Sequence, residues 1–164
     1  MSEPQQAAPT PEQNTAPVFG IEKLYVKDLS VEVPKAPEIF LERETPEVGI
    51  QFTTRGRQLD NAHIEVELVV TVNATIGEKT VFLVEANQAG VFRASNIPAE
   101  DVEPLMGIAC PNILFPFVRE VISDTVIRAG FAPVILQPIN FEAIYRARLQ
   151  EAQANAEAQP QQLQ

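Results

Sequence analysis

The chain predicts an α+β fold: a four-stranded antiparallel sheet with a crossover after strand 1, followed by two main helices. Three features carry that expectation. Apolar and polar residues alternate between Ile21 and Val91, prolines break the pattern after the first alternating stretch, and the spacing turns helical beyond Pro111. From Ala62, the residues Ile64, Val66, Leu68, Val70, Val72 and Ala74 hold one parity, and His63, Glu65, Glu67, Thr71 and Asn73 the other. Successive side chains of a strand point to opposite faces, so this is the order of a half-buried strand. Parallel sheets are covered on both faces and read as continuous apolar runs. Alternation therefore favours antiparallel pairing with one face in water and argues against a dinucleotide-binding fold.

The strands are expected near residues 19–33, 46–54, 62–76 and 80–92. In the first, Leu29, Val31 and Val33 alternate with Asp28, Ser30 and Glu32. In the second, Val48, Ile50 and Phe52 alternate with Glu47, Gln51 and Thr53; in the fourth, Phe82, Val84 and Ala86 alternate with Leu83, Glu85 and Asn87. This places Asp28, Glu32, Glu65, Glu67 and Glu85 on outward faces, solvated. Pro34-Lys35-Ala36-Pro37 interrupts pairing because proline lacks an amide donor, so the chain leaves the sheet there and crosses over, carrying Ile39 and Phe40. Residues 56–61 read as a polar loop, and Gly77 supplies the unusual backbone angle of a tight hairpin between the third and fourth strands.

A short helix is expected around residues 100–109. Beyond it Ile113, Leu114, Phe117, Val118, Val121, Ile122, Thr125 and Val126 recur at helical spacing up to Gly130. Pro111 suits a first turn, while Pro116 marks either the true start or a kink. After an apolar connector, residues 131–139, Asn140 caps a second helix with Phe141, Ile144, Tyr145 and Leu149 along one side. Residues 1–17, rich in Gln, Pro, Ala and Thr, and residues 151–164, rich in Ala, Gln and Glu, read as mobile tails around a domain at 18–150. The long helix has a broader apolar stripe than one packing contact needs, which predicts self-association.

With 164 residues, 45% of them apolar, and nine Phe, the chain can fill one core. Its charge of -10, with only 12 Lys and Arg, argues against nucleic acid as a partner, because phosphate neutralisation needs clustered cations. A single cysteine makes no intrachain disulfide, and no Cys/His cluster has zinc spacing. Residues 1–16 lack the basic and apolar segments of a leader, and no uninterrupted apolar run reaches bilayer length. The expectation is a cytosolic protein without direct membrane insertion.

Candidate chemistry is sparse. Cys110 at a helix start, with His63 as its base, is the candidate nucleophile. His63, however, falls on an outward strand position, and a lone cysteine is ordinarily a small buried apolar group. Gly77-Glu78-Lys79-Thr80 lacks P-loop spacing and sits between strands. Glu65 and Glu67 on an open sheet lack the cleft that makes carboxylates catalytic or metal-binding. Binding gains by elimination, with an enzyme using Cys110 as the rival.

Several stretches together resemble the SecB family of bacterial protein-export chaperones. They are Tyr25-Val26-Lys27-Asp28-Leu29-Ser30-Val31-Glu32-Val33-Pro34, Val81-Phe82-Leu83-Val84-Glu85, Cys110-Pro111-Asn112-Ile113-Leu114-Phe115-Pro116-Phe117-Val118-Arg119-Glu120 and Pro138-Ile139-Asn140-Phe141. The resemblance covers residues 19–150. It implies a cytoplasmic homotetramer, a dimer of dimers with the long helices packed between dimers. It also implies that the protein holds unfolded precursor polypeptides without ATP or a bound cofactor and delivers them to the SecA motor. Asp28, Glu32, Leu83 and Glu85 match the family positions that bind SecA's basic, zinc-carrying C-terminal segment, the zinc belonging to the partner. Client polypeptide is expected where the crossover and the interhelix connector meet, which nominates Ile39, Phe40, Phe131, Val134 and Ile135; each either lines a groove or closes the core. A general holdase, or an antitoxin-partner chaperone on the same scaffold, is the alternative. The longer N-terminal tail and the Ala/Gln-rich C-terminus depart from the family, so a second, C-terminal contact with SecA lacks sequence support.

Overall fold

The computed structural model describes residues 15–158. Four strands, β1 (Val18–Glu32), β2 (Glu47–Gln58), β3 (His63–Ile76) and β4 (Lys79–Ser95), form one antiparallel sheet in the order β1-β4-β3-β2. The segment from β1 to β2 thus crosses the whole sheet, as the prolines predict, and carries a single 3-10 turn at Glu38–Leu41. The tight hairpin is present: Ile76 pairs with Lys79 around Gly77, whose φ is +57°.

Registry confirms the parity reading. Ile64, Val66, Leu68, Val70, Val72 and Ala74 face the same side as Phe92, Gly90, Gln88, Ala86, Val84 and Phe82, and the apolar members of this set are buried. Two bulges in β1, at Glu22 and Lys27, leave those residues without a partner in β4. The second re-aims the strand, so that Tyr25 and Asp28 both face outward although three residues apart.

Covering the inner face is a continuous helical run made of α1 (Ala99–Pro104), a π-helical turn (Leu105–Ala109) and α2 (Cys110–Arg128). Cys110, Leu114, Val118, Ile122 and Val126 form its buried seam, one residue every three or four, as a helix on a sheet requires. A fully buried side chain of this kind contributes roughly 1.5–3 kcal/mol. α3 (Phe141–Ala158) begins at Asn140, whose Oδ1 accepts a hydrogen bond from the Ala143 amide at 2.9 Å. That is the cap the sequence predicts.

Several expectations need correction. The first half of the polar loop at 56–61 is strand, since β2 runs to Gln58 and residues 59–62 turn. Gly56 has no side chain to register in the alternation, which hid the continuation. Pro116 does not begin the long helix, which runs through it from Cys110. The wider π turn just upstream accommodates Pro111, which can donate no amide hydrogen bond. Although charged residues interrupt it, the helical run Ala99–Arg128 is long and apolar enough to cross a membrane by length and composition. Here its seam is packed on the sheet, as in a core helix. Finally, α3 continues through residues 151–158, expected as tail; residues 1–14 and 159–164 lie outside the described residues.

Candidate docking face and apolar groove

The outer sheet face is ordered by registry into rows. Asp28 stands opposite Asn87, Ser30 opposite Glu85, and Glu32 opposite Leu83; Thr71 and Asn73 of β3 flank Glu85 and Leu83. Asp28, Glu32, Leu83 and Glu85 therefore share one face at the crossover end of the sheet. The three acids are exposed and Leu83 is half-buried among them. Thr71 Oγ1 donates to Glu85 at 3.1 Å, and none of the three carboxylates forms an ion pair among the described residues. Their field is left open toward solvent, an arrangement suited to attracting a cationic segment.

Further along the same face the acids behave differently from the sequence expectation. Glu65 is not solvated: it is 4% exposed. It accepts hydrogen bonds from the Tyr25 hydroxyl, from Lys27 Nζ at 3.0 Å and from Arg57 Nε at 2.6 Å. Burial alone would oppose its ionisation, but these three donors outweigh it and hold the carboxyl at about 2. Glu67, bonded by Lys27 and by Asn87 Nδ2 at 2.7 Å, is likewise held below the usual carboxylate range. One cation from the β1 bulge thus serves two acids of β3, and the cluster clamps β1, β3 and β2 together across the outer face.

The five residues nominated for client contact do not stay together. Phe40 and Phe131 meet: their rings stack at 5.2 Å, and Phe131 in turn lies 4.9 Å from Phe82. Gly130 permits this approach, because its φ of +93° disfavours any side chain and a Cβ there would stand 3.1 Å from the Phe40 ring. A cavity of about 260 Å³ opens beside them, lined by Ile39, Phe40, Ile76, Val81 and Phe131 together with Glu42 and Glu44. Lys79 Nζ reaches Glu42 Oε1 at 2.6 Å, tying the β3–β4 hairpin to the crossover. Ile39, 5% exposed, belongs to the core and also lines this cavity, while Val134 is half-buried against that core. Ile135, 49% exposed, lies elsewhere, beside Pro116 and Ile127 on the far flank of α2.

Sequence reasoning missed Ile76 and Val81 as lining residues and Phe82 as the buried ring behind Phe131, although all three border a hairpin whose position was legible. It also missed an uncovered inner flank. α2 covers the two central strands, leaving Val26, Leu29 and Val31 of β1 and Val48 and Ile50 of β2 exposed on the helix side.

The nucleophile reading of Cys110 finds no support: its thiol is fully buried, and burial pushes its pKa up to about 12. His63 instead binds the Asp60 carboxylate at 2.9 Å in the β2–β3 turn. No cluster of three potential metal ligands occurs among the described residues.

Comparison with known proteins agrees with this geometry. The family described as preprotein translocase subunit SecB matches residues 12–152. The protein-export protein SecB of Dechloromonas aromatica is 65% identical over 148 residues, covering 90% of this chain and 97% of that protein. The SecB of Neisseria gonorrhoeae is 58% identical over 139 residues, covering 84% and 94%. Among solved structures, the Mycobacterium tuberculosis Rv1957 SecB-like chaperone, in complex with a ChAD peptide from the Rv1956 HigA1 antitoxin, superposes with a TM-score of 0.62. It is 15% identical and covers 74% of this chain and 90% of that one, a likeness of fold. Sequence identity, family match and architecture converge, and the chain belongs to the SecB family.

Proposed function

We propose that this protein is an ATP-independent export chaperone that assembles as a homotetramer, holds unfolded precursor polypeptides in the cytoplasm, and hands them to SecA. The observation that carries the reading is the gathering of Asp28, Glu32 and Glu85 with Leu83 on one face, the three acids exposed and without an ion pair among the described residues. Such a plate attracts a basic peptide by long-range field and offers Leu83, opposite Glu32, as an apolar contact at one end. Clients enter by the Phe40–Phe131 groove, backed by the buried ring of Phe82, where aromatic surface beside Glu42 and Glu44 accepts many extended sequences without reading any one. The exposed strips of β1 and β2 extend that apolar surface or are covered by neighbouring copies. Nothing in this scheme breaks or makes a covalent bond, so the protein's work is capture and delivery.

Titrating the basic C-terminal segment of SecA, zinc-loaded, onto wild type and the Asp28→Lys/Glu85→Lys variant tests the delivery step. Binding should weaken by roughly tenfold or more in the variant and fall in wild type as salt rises. Equal binding by both proteins would remove the docking assignment. A protein that captures unfolded clients but never binds that segment would instead be a general holdase or an antitoxin-partner chaperone.

A further inference from the structure

Charges on the outer face fall into two blocks. At the crossover end lie Asp28, Glu32, Glu47 and Glu85. At the opposite end, toward the β2–β3 turn, lie Lys23, Arg55, Arg57 and Arg93, together with Lys27 and the two acids it serves. Registry places Lys23, Val91, Glu65 and Arg57 in one row, with Tyr25, Ala89, Glu67 and Arg55 in the next. Arg93 stands one row beyond, between Gly20 and His63. Glu65 holds the Arg57 head group in place, yet that side chain stays 65% exposed. Lys23, Arg55 and Arg93 are exposed and form no ion pair among the described residues. Even with Asp60 beside His63 in the adjoining turn, an acidic protein thus carries a local excess of cations at this end of its outer sheet face.

We propose that this cationic block is a docking site for an acidic polypeptide segment lying extended across the strands. Four adjacent strands span roughly 14 Å at about 4.8 Å per step, the reach of a few extended residues. Guanidinium forks at Arg55, Arg57 and Arg93 suit carboxylates in paired hydrogen bonds, and Val91 and Ala89 leave a low floor between them. The occupant must be short. The nearest acid of the plate, Asp28 opposite Asn87, is about two strand residues, or ~7 Å, from the Glu67 row, and Glu85 is about six, or ~20 Å, from the Glu65 row. A nucleic acid, with a charge every ~1.7 Å of duplex, would overrun the cations and meet the acids and the -10 net charge. A short acidic peptide fits between these limits. The two blocks adjoin at Asp28, so an acidic segment is confined to the rows of Arg93, Glu65 and Glu67, and a basic segment to the rows beyond Asp28.

The test is fluorescence anisotropy with the full chain and a labelled glutamate-rich peptide. Saturable binding is expected at low salt, weakening as salt rises. It should fall roughly tenfold or more in Lys23→Gln/Arg55→Gln/Arg93→Gln, a neutral set of exposed changes that leaves the Glu65 cluster untouched. That variant should keep its affinity for a basic peptide, while Asp28→Lys/Glu85→Lys should lose the basic peptide and keep the acidic one. Absence of saturable binding to wild type, or equal binding by the Gln variant, overturns the proposal. So does binding of RNA or anionic vesicles in place of the peptide.

Discussion

Glu65 shows how one side chain can join the sheet's architecture to its charge. Its folded pKa of about 2 lies below the ordinary 4.5, so its contribution to stability is fully present above about pH 4.5 and is lost as pH falls toward 2. Glu65→Gln should destabilise the protein by about 1–3 kcal/mol at neutral pH, the range for lost hydrogen bonds to charged groups. Denaturant titrations across that acid window should show the two proteins converging as pH falls; a constant gap would contradict the assignment. The same scale disposes of Cys110. Native protein should resist thiol alkylation, and Cys110→Ala should retain client capture, whereas a nucleophile would lose all activity. Alternation alone assigned Glu65 its face correctly and its solvation wrongly, because the covering groups Tyr25, Lys27 and Arg57 come from two other strands.

At the level of elements, caps and turns were legible and helix continuity was not. Asn140 announced the start of α3 by residue type alone, since only its side chain could satisfy an otherwise unpaired amide. Asn140→Ala should cost about 1 kcal/mol and speed amide exchange in the first turn of α3, leaving the sheet unchanged. The π turn ahead of α2 gave no comparable cue, because its occurrence depends on how Pro111 is accommodated within a run already packed on the sheet. Gly130 links backbone to groove: Gly130→Ala should cost about 1–3 kcal/mol in strain at positive φ and displace the Phe40 ring. Weaker client capture at unchanged assembly size would accompany it, measured by suppression of aggregation of an unfolded protein.

For the whole molecule, the remaining issue is coverage. A single helix over two central strands leaves apolar side chains exposed on both inner flanks, while α2 itself presents Phe117 and Ile127, 45% and 52% exposed. Removing such residues from water yields roughly 1.5–3 kcal/mol each, so further copies of the chain gain by covering them. Phe117→Glu should lower the sedimenting mass while far-ultraviolet circular dichroism stays native; an unchanged mass would end the self-association argument.

Strand parity, hairpin, crossover, caps and the family were written in the sequence, since each follows from neighbours along the chain or from a matched run of residues. The tertiary structure alone decided that β1 and β2 are edges, that Glu65 is buried, that Ile135 lies apart from Ile39, Phe40 and Phe131, and that cations gather at one end of the acidic face. Those properties depend on which distant residues share a row, and strand pairing over long separations has no local signature in the order of amino acids.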